Sequence, residues 1–122
     1  MQLTLHHPAA LLPRKVAADG VQLGTEWVRH SVAVCGEQLQ PLAATSLDDL
    51  DESCCQQIAA LGAEVVILGT GTRFRMPAAS LRSWFLSRRI GLEAMDNAAA
   101  ARTWTVLQSE GRSAAVVFLL PG

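Results

Sequence analysis

Val65-Val66-Ile67-Leu68-Gly69-Thr70-Gly71-Thr72 runs from four consecutive apolar residues straight into a glycine-rich turn. A short apolar run without alternation, rich in β-branched residues, predicts a strand covered on both faces, as in a parallel sheet under helices. The residues before it supply a first helix. Leu47, Leu50, Cys54, Ile58 and Leu61 follow one another at spacings of three or four, or their sums, which is one helical stripe. Ser46-x-x-Asp49 resembles a capping box at its start, Asp48, Asp49, Asp51 and Glu52 sit where the helix dipole favours negative charge, and Gly62 is placed as the stop.

The same alternation continues downstream. Pro77 suits a first helical turn, Leu81, Trp84 and Phe85 supply an apolar face, Arg88 and Arg89 complement its negative pole, and Gly91 is the expected stop. Leu92 to Met95 then form a short strand. Asp96 or Asn97 caps a third helix from about Ala98 to Glu110, closed by Gly111, and Ser113 to Leu120 form a last, almost wholly apolar strand of open direction. Upstream of residue 45 the texture differs. Val21-Gln22-Leu23, Glu26-Trp27-Val28 and Ser31-Val32-Ala33-Val34 are short β-like pieces between breakers, with Asp19-Gly20 and Gly36-Glu37 as turns, and they predict a small β-meander. The α-β-α-β-α-β order predicts right-handed crossovers. The fold class expected is α/β: a three-layer single domain over 16–122, with a mixed, largely parallel central sheet, flanking helices and an N-terminal antiparallel β-portion. Residues 1–15 are expected to be a partly flexible N-terminal segment.

Composition bounds the functional classes. The chain has 122 residues, 50% apolar and 17% charged, which suits one folded domain and excludes a disordered tail. No apolar run reaches the roughly 18 residues that span a bilayer. The formal net charge of −1 conceals an asymmetry: residues 1–61 carry three basic against seven acidic residues, residues 62–122 seven against four. With no Tyr, one Lys and so small a positive surplus, nucleic acid is not an expected partner. Cys35, Cys54 and Cys55 have neither disulfide-framework nor C-x-x-C spacing, and Met1 to Pro13 lacks the charged and apolar regions of a secretory signal, so a reducing cytoplasm is the expected location.

Two segments invite a ligand. Gly69-Thr70-Gly71-Thr72 follows a strand and precedes a helix, so its N–H groups could converge on an anion, with Arg73 and Arg75 adding charge. It is neither G-x-G-x-x-G nor a Walker loop, and a tight turn whose glycines supply positive φ explains it as well. Met95-Asp96-Asn97 closes the next strand; if the two strands are parallel neighbours, both segments share one sheet edge. Arg102 lies beyond it, available to Asp96, Glu93 or a ligand carboxylate, while capping alone accounts for Asp96 or Asn97. Glu110 and Arg112 are a candidate structural pair. His6, His7 and His30 lack metal-ligand spacing, and no nucleophile elbow or cysteine-nucleophile motif is present, so no catalytic residue, metal or cofactor is expected. Trp84, Phe85, Trp104 and Cys54 read as core, and Trp27 as an aromatic with one face available to a partner.

Val65 to Gly71, Pro77, Gly91-Leu92-Glu93-Ala94-Met95-Asp96, Ala98 to Trp104 and Glu110-Gly111-Arg112, in that order and spacing, resemble the domain of unknown function 498/598 family. The resemblance covers roughly residues 16–121. Its mitochondrial relative is the NADH:ubiquinone oxidoreductase (complex I) assembly factor three. The resemblance implies a compact three-layer α/β domain, no established reaction among bacterial and archaeal members, and action through protein contacts in the mitochondrial relative. Asn97 stands where the family usually has Thr or Ser, Thr105 where Asn commonly follows the aromatic, and Trp104 where Tyr or Phe is usual. Two functions are therefore expected: a non-enzymatic protein-interaction domain, assisting assembly of a respiratory or other membrane-associated complex, or alternatively a small anionic-ligand-binding protein or enzyme using the Gly69–Arg75 and Met95–Arg102 edge. Self-association is left open.

Overall fold

The structure is a computed structural model that describes residues 11–121; His6 and His7 lie outside the described residues. In chain order the elements are β1 (Pro13–Ala17), β2 (Gly20–Leu23), β3 (Glu26–Val28), β4 (Val32–Cys35), β5 (Gln38–Pro41), a 3-10 turn (Leu47–Asp49), α1 (Glu52–Ala59), β6 (Val65–Gly69), α2 (Ala79–Leu86), β7 (Gly91–Met95), α3 (Asn97–Ser109) and β8 (Ala114–Phe118). Five strands form the main sheet in the order β5-β4-β8-β6-β7. β8 is its middle strand, parallel to β6 and antiparallel to β4, and all five of its residues are buried. That burial is why the stretch reads as an unbroken apolar run.

The main sheet is the middle of three layers. On one face Ala33, Val66, Leu68 and Val117 pack with Cys54 and Ile58 of α1 and Phe85 of α2. On the other Val34, Ile67, Val116 and Phe118 pack with Ala100 and Trp104 of α3 and with Val21 and Leu23 of a second sheet, β1-β2-β3. Alternate residues of β6 and β8 thus serve opposite cores, the period-two geometry of a strand covered on both sides. Trp104 is fully buried and its indole N–H donates to Ala114 O at 2.8 Å, so the bulkiest core side chain leaves no donor unpaired. Ser31 closes the sheet end: its hydroxyl accepts Leu120 N–H at 2.8 Å and donates to Leu120 O at 3.1 Å.

Several expectations change in detail. The meander is β1-β2-β3, and Val32–Cys35 leaves it for the main sheet, because Val32, Ala33 and Val34 are apolar on both faces and need cover on both. β1 starts at Pro13, within the 1–15 segment, and its turn to β2 is Ala18-Asp19 instead of Asp19-Gly20. The stripe from Leu47 to Leu61 is not one helix. A 3-10 turn covers Leu47–Asp49, Ser46 makes no side-chain cap bond, and α1 begins only after Asp51, whose carboxylate accepts Cys54 N–H at 2.9 Å. The leucines still face the core across the break. α2 is ended by Arg89, at φ 62°, and Gly91 is the first residue of β7. Arg88 does meet the helix terminus as expected, donating to Trp84 O at 2.9 Å.

Candidate functional site

Parallel pairing sets Gly69 at the end of β6 opposite Met95 at the end of β7, so the two candidate segments do meet at one edge. Thr70 N–H donates to Met95 O and Asn97 N–H to Gly71 O, each at 2.8 Å. Asp96 is the cap of α3, its carboxylate accepting Ala99 N–H at 2.8 Å. Asn97, an equally good cap by residue type, does something else. It is 2% exposed, its Oδ1 accepts Gly71 N–H at 3.1 Å and its Nδ2 donates to Leu119 O at 3.1 Å. That side chain ties the glycine loop, the start of α3 and the segment after β8 into one junction. Gly69 has no room for more: a Cβ there would sit 2.7 Å from Val117 O and run into the Asn97 amide oxygen. Only Gly71, at φ 117°, answers to the positive-φ reading of this loop.

Thr70 fastens the rest of the loop. Its hydroxyl donates to Arg73 O at 2.8 Å and accepts Arg75 N–H at 3.0 Å. The N–H groups of Thr70, Gly71 and Arg75 are thus spent on internal acceptors. Residues 73–76 stand out from the fold, with Phe74 49% and Met76 70% exposed. Arg73 is exposed beside a 230 Å³ depression that also meets Thr72 and Pro121. The Arg75 guanidinium reaches Asp48 at 3.3 Å, an exposed pair worth about 0–1 kcal/mol. Arg102 pairs with neither Asp96 nor Glu93 among the described residues; with Arg14 and Lys15 it lines a 500 Å³ groove between β1 and α3. Glu110 and Arg112 are exposed and make no ion pair with each other; the chain is held there by backbone bonds, Arg112 N–H to Leu107 O at 2.9 Å among them. Among the described residues no cluster of three or more His, Cys, Asp or Glu is placed to hold a metal ion.

Another recess lies elsewhere. A 540 Å³ groove runs between the start of α1 and the face of α2, floored by Leu47, Leu50, Leu81 and Trp84, with Met76 on its lip. Sequence reasoning missed it, having assigned Trp84 wholly to the core. Trp84 is half-buried, edge-on to Phe85 at 4.9 Å, with the Arg88 guanidinium 3.5 Å over its ring. Its indole N–H is buried and has no acceptor. The available signal is Phe74 and Met76, apolar residues on either side of Arg75 in a loop that has no core to enter. Trp27, 42% exposed on β3, does show a face to solvent, with Arg29 over the ring at 5.5 Å. Burial raises the Cys35 thiol pKa and pushes that of Cys55, on the groove wall, up to about 11.

A family model described as a protein of unknown function (DUF498/DUF598) matches residues 14–119. Among solved structures, a Xanthomonas campestris protein determined by NMR is 34% identical, with 100% of this chain and 94% of that one covered and a TM-score of 0.83. A Bordetella pertussis protein described as a Mth938-like domain is 24% identical (95% and 89% covered, TM-score 0.82). A Bartonella henselae protein described as an outer membrane protein is 22% identical (94% and 98% covered, TM-score 0.79). No curated protein matches the chain. Among the described residues no helix is long and apolar enough to cross a membrane.

Proposed function

The chain belongs to the DUF498/DUF598 family, and we propose that it is a non-enzymatic protein-interaction domain that assists assembly of a respiratory or other membrane-associated complex, working in the cytoplasm. One observation carries the interaction reading: the Thr70 hydroxyl stiffens a loop that holds Phe74 and Met76 out in solvent. A rigid loop bearing two large apolar side chains loses little entropy on docking, which is how preorganised surfaces gain affinity. The assembly role rests on the resemblance to the mitochondrial assembly factor. Affinity purification with crosslinking from the native host tests both parts. Recovery of respiratory or other membrane-complex subunits supports the reading, and recovery of the chain alone under several growth conditions overturns it.

A second reading is favoured by cations that make no ion pair among the described residues. Arg73 beside one depression, and Arg14, Lys15 and Arg102 around another, would suit a small carboxylate or phosphate at the Gly69–Arg75 and Met95–Arg102 edge. A thermal-shift screen with phosphates, carboxylates and nucleotides separates the two, since a ligand at 100 times its Kd adds about 2.7 kcal/mol. Silence across the panel removes this reading.

A further inference from the structure

We propose that the groove between α1 and α2 receives an amphipathic helix of a partner protein, one whose apolar stripe is flanked by Lys or Arg; this rests on the protein-interaction reading above. Three observations converge on it. The floor is apolar and bounded by two helices on the same face of the sheet, the setting in which a third helix lays residues i, i+3, i+4 and i+7. At 540 Å³ the groove is more than twice the 230 Å³ depression beside Arg73. Met76 adds an exposed thioether at the lip, a side chain that repacks readily around different anchors.

Charge selects the occupant. Among the described residues, Asp48, Asp51 and Glu52 line the groove against Arg75, which Asp48 already engages, and Arg88, whose guanidinium is held over the Trp84 ring, so its lining keeps a net negative charge. The rim therefore attracts basic side chains and repels acidic peptides, anionic lipid headgroups and nucleic acid. Much of the acidity of the first half of the sequence gathers here, with Asp49 beside it. The buried, unpaired indole N–H of Trp84 marks the same place as incompletely satisfied in the free protein, where a small adjustment of the ring on docking would let it find an acceptor.

The probe is a labelled two-heptad Leu/Lys amphipathic peptide, with its Leu/Glu counterpart as control, titrated into the intact chain by fluorescence anisotropy and two-dimensional NMR. The Leu/Lys peptide should bind and weaken with added salt, and the Leu/Glu peptide should not. The Trp84 indole signal should shift, while that of Trp104, bonded to Ala114 O, stays. Met76→Glu, and separately Asp48→Lys with Glu52→Lys, should weaken binding more than tenfold; these side chains are exposed, and circular dichroism checks that the fold is intact. Equal binding of both peptides, unchanged binding by the variants, or shifts confined to the β1–α3 groove would overturn the assignment. Binding to phosphatidylserine vesicles in preference to the peptide would replace the protein partner with a membrane. Crosslinking capture with wild type and Met76→Glu separates the two levels. A partner held equally by both removes the groove and leaves the interaction reading standing, whereas no partner with either removes both.

Discussion

Replacing Asn97 by Asp changes one atom at the junction of three segments and should unsettle all of them. The carboxylate keeps an acceptor for Gly71 N–H, 3.1 Å away in the native protein, but has no proton for Leu119 O at the same distance. Leaving that buried carbonyl unpaired costs about 1–3 kcal/mol. Burying a carboxylate against it costs several more, partly offset by a stronger bond from Gly71, for a net loss of about 3–5 kcal/mol. A domain of this length loses roughly 3–4 °C per kcal/mol, so the melting temperature should drop by about 10–20 °C at pH 7. Acid should restore it. The variant carboxyl, buried and facing a carbonyl, has its folded-state pKa raised above the unfolded value, so its neutral form is favoured in the fold. Stability is then complete below the unfolded pKa and lost as pH rises through the folded one, because only the protonated acid can donate to Leu119 O. Thermal melts of wild type and variant between pH 7 and pH 4 test this. Equal melting at pH 7, or a gap that does not narrow towards pH 4, would refute the assignment of Asn97 as the clamp.

Gly69→Ala should destabilise by about 1–3 kcal/mol through overpacking, read as a lower urea midpoint with faster amide exchange at Gly71, since the new methyl meets Val117 O and the Asn97 amide. Asp51→Asn should keep the α1 cap but flatten the acid limb of the stability profile. The native carboxylate is held below its usual range by the Cys54 backbone N–H, so it stabilises above the unfolded pKa and loses this as pH falls; identical acid limbs would contradict the cap. At pH 8 a thiol reagent should spare Cys54 and Cys55 in the folded chain, both buried and Cys55 near pKa 11, with Cys35 modified first and all three reached only in denaturant.

How far the residues announce this structure varies with what surrounds them. Val65–Gly69 and Ala114–Phe118 are legible because burial on both faces demands unbroken apolar runs. α3 is legible through its alanines and its glycine stop. Gln38–Pro41 escapes notice because an edge strand borrows its pairing from β4 and needs little apolar content of its own. The break before Asp51 escapes because Leu47 and Leu50 face the core from a 3-10 turn at nearly the spacing a helix would use. At the candidate site, the meeting of the two segments follows from parallel pairing, which the residues suggest. The role of Asn97 does not, since its partners lie 26 and 22 residues away and Asp96 fits the local cap equally well. Phe74 and Met76 are visible only as apolar residues without a period, and the groove beside them exists only once α1 and α2 share a face.

The position of β8 also sets an order on events. β4 and β5 form one hairpin and β6 with β7 one parallel pair, yet within the main sheet nothing joins these two halves except the strand made after both. A chain that paired these two halves first would carry two open strand edges, one on β4 and one on β6, until residues 114–118 slot between them. The latch that follows, Ser31 to Leu120, spans 89 residues, so closure is among the most non-local steps available to a chain this short. Nascent chains halted before that point would expose two unsatisfied edges at once, which makes this last strand the one whose late arrival a chaperone would most need to cover.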